Sequence, residues 1–105
     1  MPIDDSEFRG YLKHYLRYAD YLLGNPPPEF HRFYEEGMYV PMLTKLRYVL
    51  LLISERCPEK RVIHDEYCSL WAGGREVSLA VLRGNVKVAN ARAAILEELE
   101  KLEEL

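Results

Sequence analysis

Apolar residues recur at helical spacing near the start of the chain, in residues 5–23. Five of them follow one another at steps of four and three residues, which places them on one face of a helix with about 3.6 residues per turn. These are Phe8, Leu12, Tyr15, Ala19 and Leu22. Polar side chains at 4–6 offer N-caps, and Gly24 followed by three prolines ends the helix. The pattern predicts an amphipathic helix over 5–23.

The second strong pattern, in residues 41–56, is apolar on most of its circumference. Pro41 suits the first helical position of this segment. The main apolar face consists of Leu43, Leu46, Leu50 and Ile53. A helix that is apolar on most sides packs among other helices, so we expect 41–56 at the centre of the core.

Three further segments carry shorter helical patterns. Residues 28–36 and 58–71 each begin with a proline, which fits the first turn of a helix. Residues 90–105 are rich in strong helix formers, and Asn90 is a suitable N-cap. We predict a helix in each segment.

The remaining segment, residues 75–89, is compatible with two structures. Apolar and small residues alternate from Val77 to Val81, and Gly84 with Asn85 resembles a hairpin turn, which together predict a short β-hairpin within 76–89. The same run also fits a buried helix that ends at Gly84. We favour the helix because a lone two-stranded hairpin has marginal stability.

These elements predict an all-α protein. We expect one helical domain over 1–105, a compact bundle of five to six helices around the central apolar helix 41–56. A chain of 105 residues fits one domain and can bury a substantial core.

Composition and hydropathy indicate the kind of organism and the cellular location of the protein. The chain has no Gln, one Thr and three Asn against 13 Glu and 9 Arg, a bias typical of thermophile proteins. The acidic N-terminus lacks a signal sequence. The longest apolar run is six residues, far short of the roughly 20 that span a bilayer. We expect a cytoplasmic thermophile protein without a membrane partner.

Charge is unevenly distributed. The net charge is −3, but residues 97–105 hold five Glu and one Lys, which leaves +1 on residues 1–96. On the first helix, three cations spaced four residues apart lie beside a tyrosine: Arg9, Lys13, Arg17 and Tyr18. Cations for phosphates and an aromatic ring for bases are typical of nucleic-acid binding, although a solvated helix face has the same appearance.

A second nucleic-acid candidate is the segment 62–83, which has the order helix, glycine turn, helix. In a helix-turn-helix, its second half would bring polar residues to the groove: Arg75, Glu76, Ser78 and Arg83. Because 75–83 is mostly apolar, two ordinary core helices are the simpler interpretation.

The C-terminal helix carries an apolar seam among acidic residues. The seam consists of Ile95, Leu99, Leu102 and Leu105. It is suited to a protein partner, either a second copy or another subunit. Packing on the chain's own core explains the same leucines.

The thiols and the histidine of 57–68 give a weaker signal. Cys57 and Cys68 are either two reduced thiols or a disulfide. With His64 they make three ligands where a structural zinc site has four, so we expect no metal and no cofactor. Asp65 follows His64 directly, and neighbouring helical side chains point about 100° apart, so we expect no catalytic pairing there.

The sequence thus favours a small non-enzymatic interaction module, a homodimer or a subunit of a larger assembly. Nucleic-acid binding, by the cationic face of 5–23 or by 62–83, is the alternative. A small helical enzyme without a recognisable motif comes third.

Overall fold

Residues 3–25, 28, 39–74 and 76–103 are described by the computed structural model, and within them the chain forms five α-helices and no strand. The helices are α1 (Asp5–Leu22), α2 (Tyr39–Arg56), α3 (Arg61–Cys68), α4 (Leu79–Leu82) and α5 (Val86–Glu103). Short 3₁₀ segments at Pro58–Lys60 and Ser69–Gly74 flank α3. The all-α prediction is confirmed. The helix predicted at 28–36 lies outside the described residues except for Pro28.

Helix α1 follows the pattern that predicted it. The Asp4 carboxylate accepts a hydrogen bond from the Glu7 amide at 2.8 Å, so Asp4 is the N-cap. Gly24, at φ 95°, takes the left-handed conformation just past the helix end. All five residues of the predicted apolar face are buried.

Helix α2 contacts α1, α3 and α5, as expected for the central helix. It runs from Tyr39 rather than from Pro41. Pro41 is compatible with this start because the amides of the first turn have no helical partner. The Tyr39 hydroxyl donates to the Val77 carbonyl at 2.6 Å and ties this end of α2 to the segment before α4. One strip of α2 is exposed, including Thr44, Arg47 and Tyr48.

The hairpin within 76–89 does not form. Two side-chain caps start helices instead: Ser78 accepts from the Val81 amide at 3.3 Å, and Asn85 accepts from the Lys87 amide at 2.9 Å. Gly84, at φ 75°, lies between the two helices. The helical alternative was therefore correct in type, although α4 is only four residues long.

The helix-turn-helix expectation for 62–83 also fails, because its second helix is too short. A four-residue helix makes one turn, and Leu82 within it is fully buried. A recognition helix needs several turns with an exposed polar face to reach into a major groove. Arg75 lies outside the described residues.

Helix α5 starts four residues earlier than predicted, at Val86, because Asn85 and not Asn90 provides the cap. It packs most extensively on α1 and also contacts α2 and α3. Buried residues of α1, α2, α3 and α5 form one hydrophobic cluster. No helix among the described residues is long and apolar enough to cross a bilayer.

Candidate functional site

The exposed sides of α1 and α2 carry a cationic surface. We call it the α1–α2 face, and it consists of the exposed residues Lys13, His14, Arg17, Lys45, Arg47 and Tyr48. Lys45 lies on the edge of α2 toward Tyr18 of α1, and Arg47 lies on the edge toward His64 of α3. Neither of the two segments that build it, residues 8–19 and 39–54, contains an Asp or Glu. Such a surface has a positive potential that attracts anions.

Aromatic rings underlie this face and connect its two helices. Tyr15 stacks on Tyr11 at 5.8 Å and on Tyr18 at 5.5 Å between ring centroids. Tyr48 of α2 meets Tyr11 edge-on at 6.1 Å. A hydrogen bond of 2.8 Å joins the Tyr18 hydroxyl to Nε2 of His14. These contacts hold the cations on a rigid aromatic base.

Tyr18 does not take the role expected from the sequence. Its ring is only 8% exposed, and the Lys45 ammonium lies 5.6 Å from its centroid. Tyr18 therefore supports a cation from below and offers no surface for stacking. The exposed ring of the face is Tyr48, at 45%.

Ion pairing separates the cations into two groups. Arg9, expected on the cationic stripe, pairs with Glu103 of α5 at 3.5 Å. Among the described residues, Lys13, Lys45 and Arg47 form no ion pair. Their charges are available to an anionic ligand, as is that of the isolated Arg83 outside the face.

The positive charges of the face affect the pKa of His14. Partial burial lowers the pKa of His14, and the charges of Lys45 and Arg17 lower it further. Two cations on different helices thus act on one imidazole. An anion bound here would counteract the effect of both cations on the pKa of His14.

Helix α5 uses its apolar seam internally. Ile95 and Leu99 are buried in the core cluster, and Leu102 packs against it, while Leu105 lies outside the described residues. The packing of α5 on α1 accounts for the leucine spacing without a partner.

The acidic residues of α5 are also largely paired within the chain. Lys60 contacts Glu97 at 2.6 Å, and Lys101 contacts Glu98 at 3.1 Å. With Glu103 paired to Arg9, three of the four glutamates in the described part of α5 have a cationic partner, and Glu100 has none.

The cysteines are free, as expected for two reduced thiols, and the alternative of a disulfide between Cys57 and Cys68 does not form. The carboxylate of Asp65 does meet His64, contrary to expectation, with Oδ1 2.9 Å from Nδ1. On the other side of the ring, Nε2 lies 3.5 Å from the Cys68 sulfur. The side-chain torsions of adjacent residues close the 100° gap that the backbone leaves.

This Cys68–His64–Asp65 chain lacks the properties of a nucleophilic site. Burial raises the pKa of the Cys68 thiol, which disfavours the reactive thiolate. Cys68 is also the last residue of α3, where the helix dipole opposes a negative charge. Within the described part of the chain, no three His, Cys, Asp or Glu side chains are grouped to hold a metal ion.

A pocket of about 280 Å³ adjoins the α1–α2 face. Its lining residues are Thr44, Arg47, Tyr48, Leu51 and His64. The sequence interpretation missed this pocket and the contribution of α2 to the face, because it treated α2 as a core helix that is apolar on most sides. Thr44, Arg47 and Tyr48 recur at i, i+3 and i+4, which was the available signal for an exposed polar strip.

Fold and site together define a small helical protein with one cationic, aromatic face and an adjoining pocket. No family model, curated protein sequence or solved structure matches the chain. We therefore infer the function from the geometry of this face.

Proposed function

We propose that this protein is a non-enzymatic cytoplasmic binding module whose α1–α2 face binds single-stranded nucleic acid. One observation carries the proposal: Lys13, Lys45 and Arg47 have no ion pair among the described residues, on two helical segments without a carboxylate. Elsewhere the chain pairs most of its exposed cations, as Arg56 does with Asp5 at 2.7 Å.

The ring of Tyr48 supports a single strand over a duplex. Its exposed face is available for an unpaired base, and stacking of this kind contributes about 1–3 kcal/mol per base. A duplex keeps its bases stacked on one another, so it has no unpaired base to place on the Tyr48 ring.

A protein partner on α5, which the sequence favoured, has less support. The described residues of its apolar seam pack in or against the core, and three of its four described glutamates pair within the chain. We therefore keep the binding-module class and assign the partner surface to α1 and α2.

The experiment is fluorescence anisotropy with a labelled single-stranded oligothymidylate at two salt concentrations. Release of counterions from three phosphate contacts gives a slope of about −2 in log K against log salt, so affinity falls about 20-fold from 50 to 200 mM. Lys45→Glu removes one cation and adds a like charge to the phosphates. We expect it to weaken binding at least about tenfold.

Arg83→Glu is the matched control. Arg83 is exposed, makes the same change in net charge, and lies against Gly24 beyond the C-terminal end of α1. It should bind like the wild type. Absence of binding at 50 mM salt, or equal losses in the two variants, would contradict the proposal.

A further inference from the structure

The pocket beside the α1–α2 face is built for an anion. Arg47 contributes a guanidinium with a planar fork of donors, and Thr44 and Tyr48 contribute hydroxyl groups. Among the described residues that line the pocket, none carries a carboxylate. Its volume, about 280 Å³, lies just below the roughly 300–1,000 Å³ of typical small-molecule sites, so it suits a compact group.

The fourth polar residue that lines the pocket is His64 of α3. Its side chain is 14% exposed, and Asp65 holds Nδ1 at 2.9 Å. Arg61 contacts the same carboxylate at 3.1 Å and offsets its charge. The partner of Nε2 is the Cys68 sulfur at 3.5 Å, a weak hydrogen-bonding group. When the imidazole is protonated on both nitrogens, Nε2–H donates to a phosphate oxygen in place of this sulfur.

Two lining residues also belong to the α1–α2 face. Arg47 and Tyr48 form one side of the pocket and one edge of the face. A strand that crosses the face and stacks a base on Tyr48 would therefore bring its end to Arg47 and His64.

We infer that this pocket binds the terminal phosphate monoester of the strand, an inference that rests on the proposed function. A terminal phosphate carries a charge of about −1.5 to −2 and three acceptor oxygens. An internal phosphodiester has one negative charge and two free oxygens. Arg47, His64 and the two hydroxyls match the larger set of acceptors.

The test compares three oligothymidylates of one length, with a 5′-phosphate, a 3′-phosphate or hydroxyls at both ends. One phosphorylated form should bind about tenfold more tightly than the hydroxyl form, as charge-assisted hydrogen bonds are among the strongest. Arg47→Lys keeps the charge of the face and removes the fork. It should reduce the preference to within about twofold, and any loss of affinity for the hydroxyl form should be smaller than the loss for the phosphorylated form.

Arg83→Lys is the control and should retain the full preference. Inorganic phosphate distinguishes the strand end from the free ion. A bound strand presents its end at a millimolar effective concentration, so the preference should persist in about 0.1 mM phosphate. Loss of the preference there would assign the pocket to free phosphate and overturn the inference.

The two proposals fail differently. If all three oligonucleotides bind equally, the pocket does not recognise the terminal phosphate, and the α1–α2 face remains a binding surface. If none binds at 50 mM salt, the proposed function is wrong and the inference falls with it.

Discussion

Tyr67 joins the two helices that frame the pocket. Its side chain is fully buried, its hydroxyl donates to the Leu43 carbonyl of α2 at 3.0 Å, and its ring meets Trp71 edge-on at 5.1 Å. Burial raises the pKa of Tyr67 far above the usual 10.0. The neutral phenol is thus part of the folded state.

The raised pKa predicts an alkaline loss of stability. Below pH 10 the contribution of the hydroxyl is complete, because both states hold the proton. Above pH 10 the unfolded chain releases its proton while the folded chain retains it, so stability falls. Between pH 9 and 11 the wild type should lose about 1.4 kcal/mol more than Tyr67→Phe, measured by urea unfolding.

Other titrating groups are common to both proteins and cancel in this difference. Tyr48→Phe, which alters an exposed tyrosine, should follow the wild type. Parallel pH profiles for the wild type and Tyr67→Phe would show that Tyr67 ionises freely in the folded state.

Leu50 represents the core contribution of α2. It is 1% exposed and belongs to the hydrophobic cluster. Truncation leaves a cavity that close-packed neighbours fill only in part, so Leu50→Ala should cost about 2–5 kcal/mol in the free energy of unfolding. Val62→Ala on α3 changes an exposed side chain and should cost less than about 0.5 kcal/mol. Equal losses in chemical denaturation would contradict the packing described here.

At the scale of elements, apolar spacing located helices better than it located their ends. The faces of α1 and α2 were predictable because burial follows the 3.6-residue period. The start of α5 was not, since Asn85 and Asn90 are both good N-cap residues and spacing alone does not choose between them. Tertiary packing of Val88, which is fully buried, favours the earlier start.

A pair of asparagine variants tests the start of α5. Asn85→Ala removes the side-chain acceptor of the Lys87 amide and should cost about 1 kcal/mol. Asn90→Ala replaces an exposed residue inside the helix with a better helix former, so it should stabilise by a few tenths of a kcal/mol, ~0.5. Urea unfolding of both variants measures the difference. The reverse order would place the cap at Asn90.

At the scale of the whole molecule, many of the charged side chains in the described residues form ion pairs within the chain, whereas three cations of the α1–α2 face do not. Residues near the ends of the chain pair with each other, as Arg9 does with Glu103. Half of the α1–α2 face was predictable, because Lys13 and Arg17 share the outer side of α1. Lys45 and Arg47 were not, since joining two helices into one surface requires the tertiary packing of α1 on α2.

The packing of the apolar seam in the core predicts the effect of truncating one of its residues. Leu99→Ala should destabilise the fold by about 2–5 kcal/mol, because Leu99 packs in the core. The mass measured by light scattering should be the same as for the wild type. Glu100→Ala, an exposed change on the same helix, is the control for stability. A dimer that dissociates on Leu99→Ala would restore the seam as a partner interface.

The most direct test of the α1–α2 face is to map the bound strand by NMR. Isotopically labelled protein is titrated with the single-stranded oligonucleotide at low salt, and amide shifts are followed by residue. We expect the largest changes at Lys13, His14, Lys45, Arg47 and Tyr48, with the C-terminal half of α5 unaffected. Binding also brings phosphate close to His14, so its lowered pKa should rise. Changes confined to α5, or no changes at all, would contradict the account.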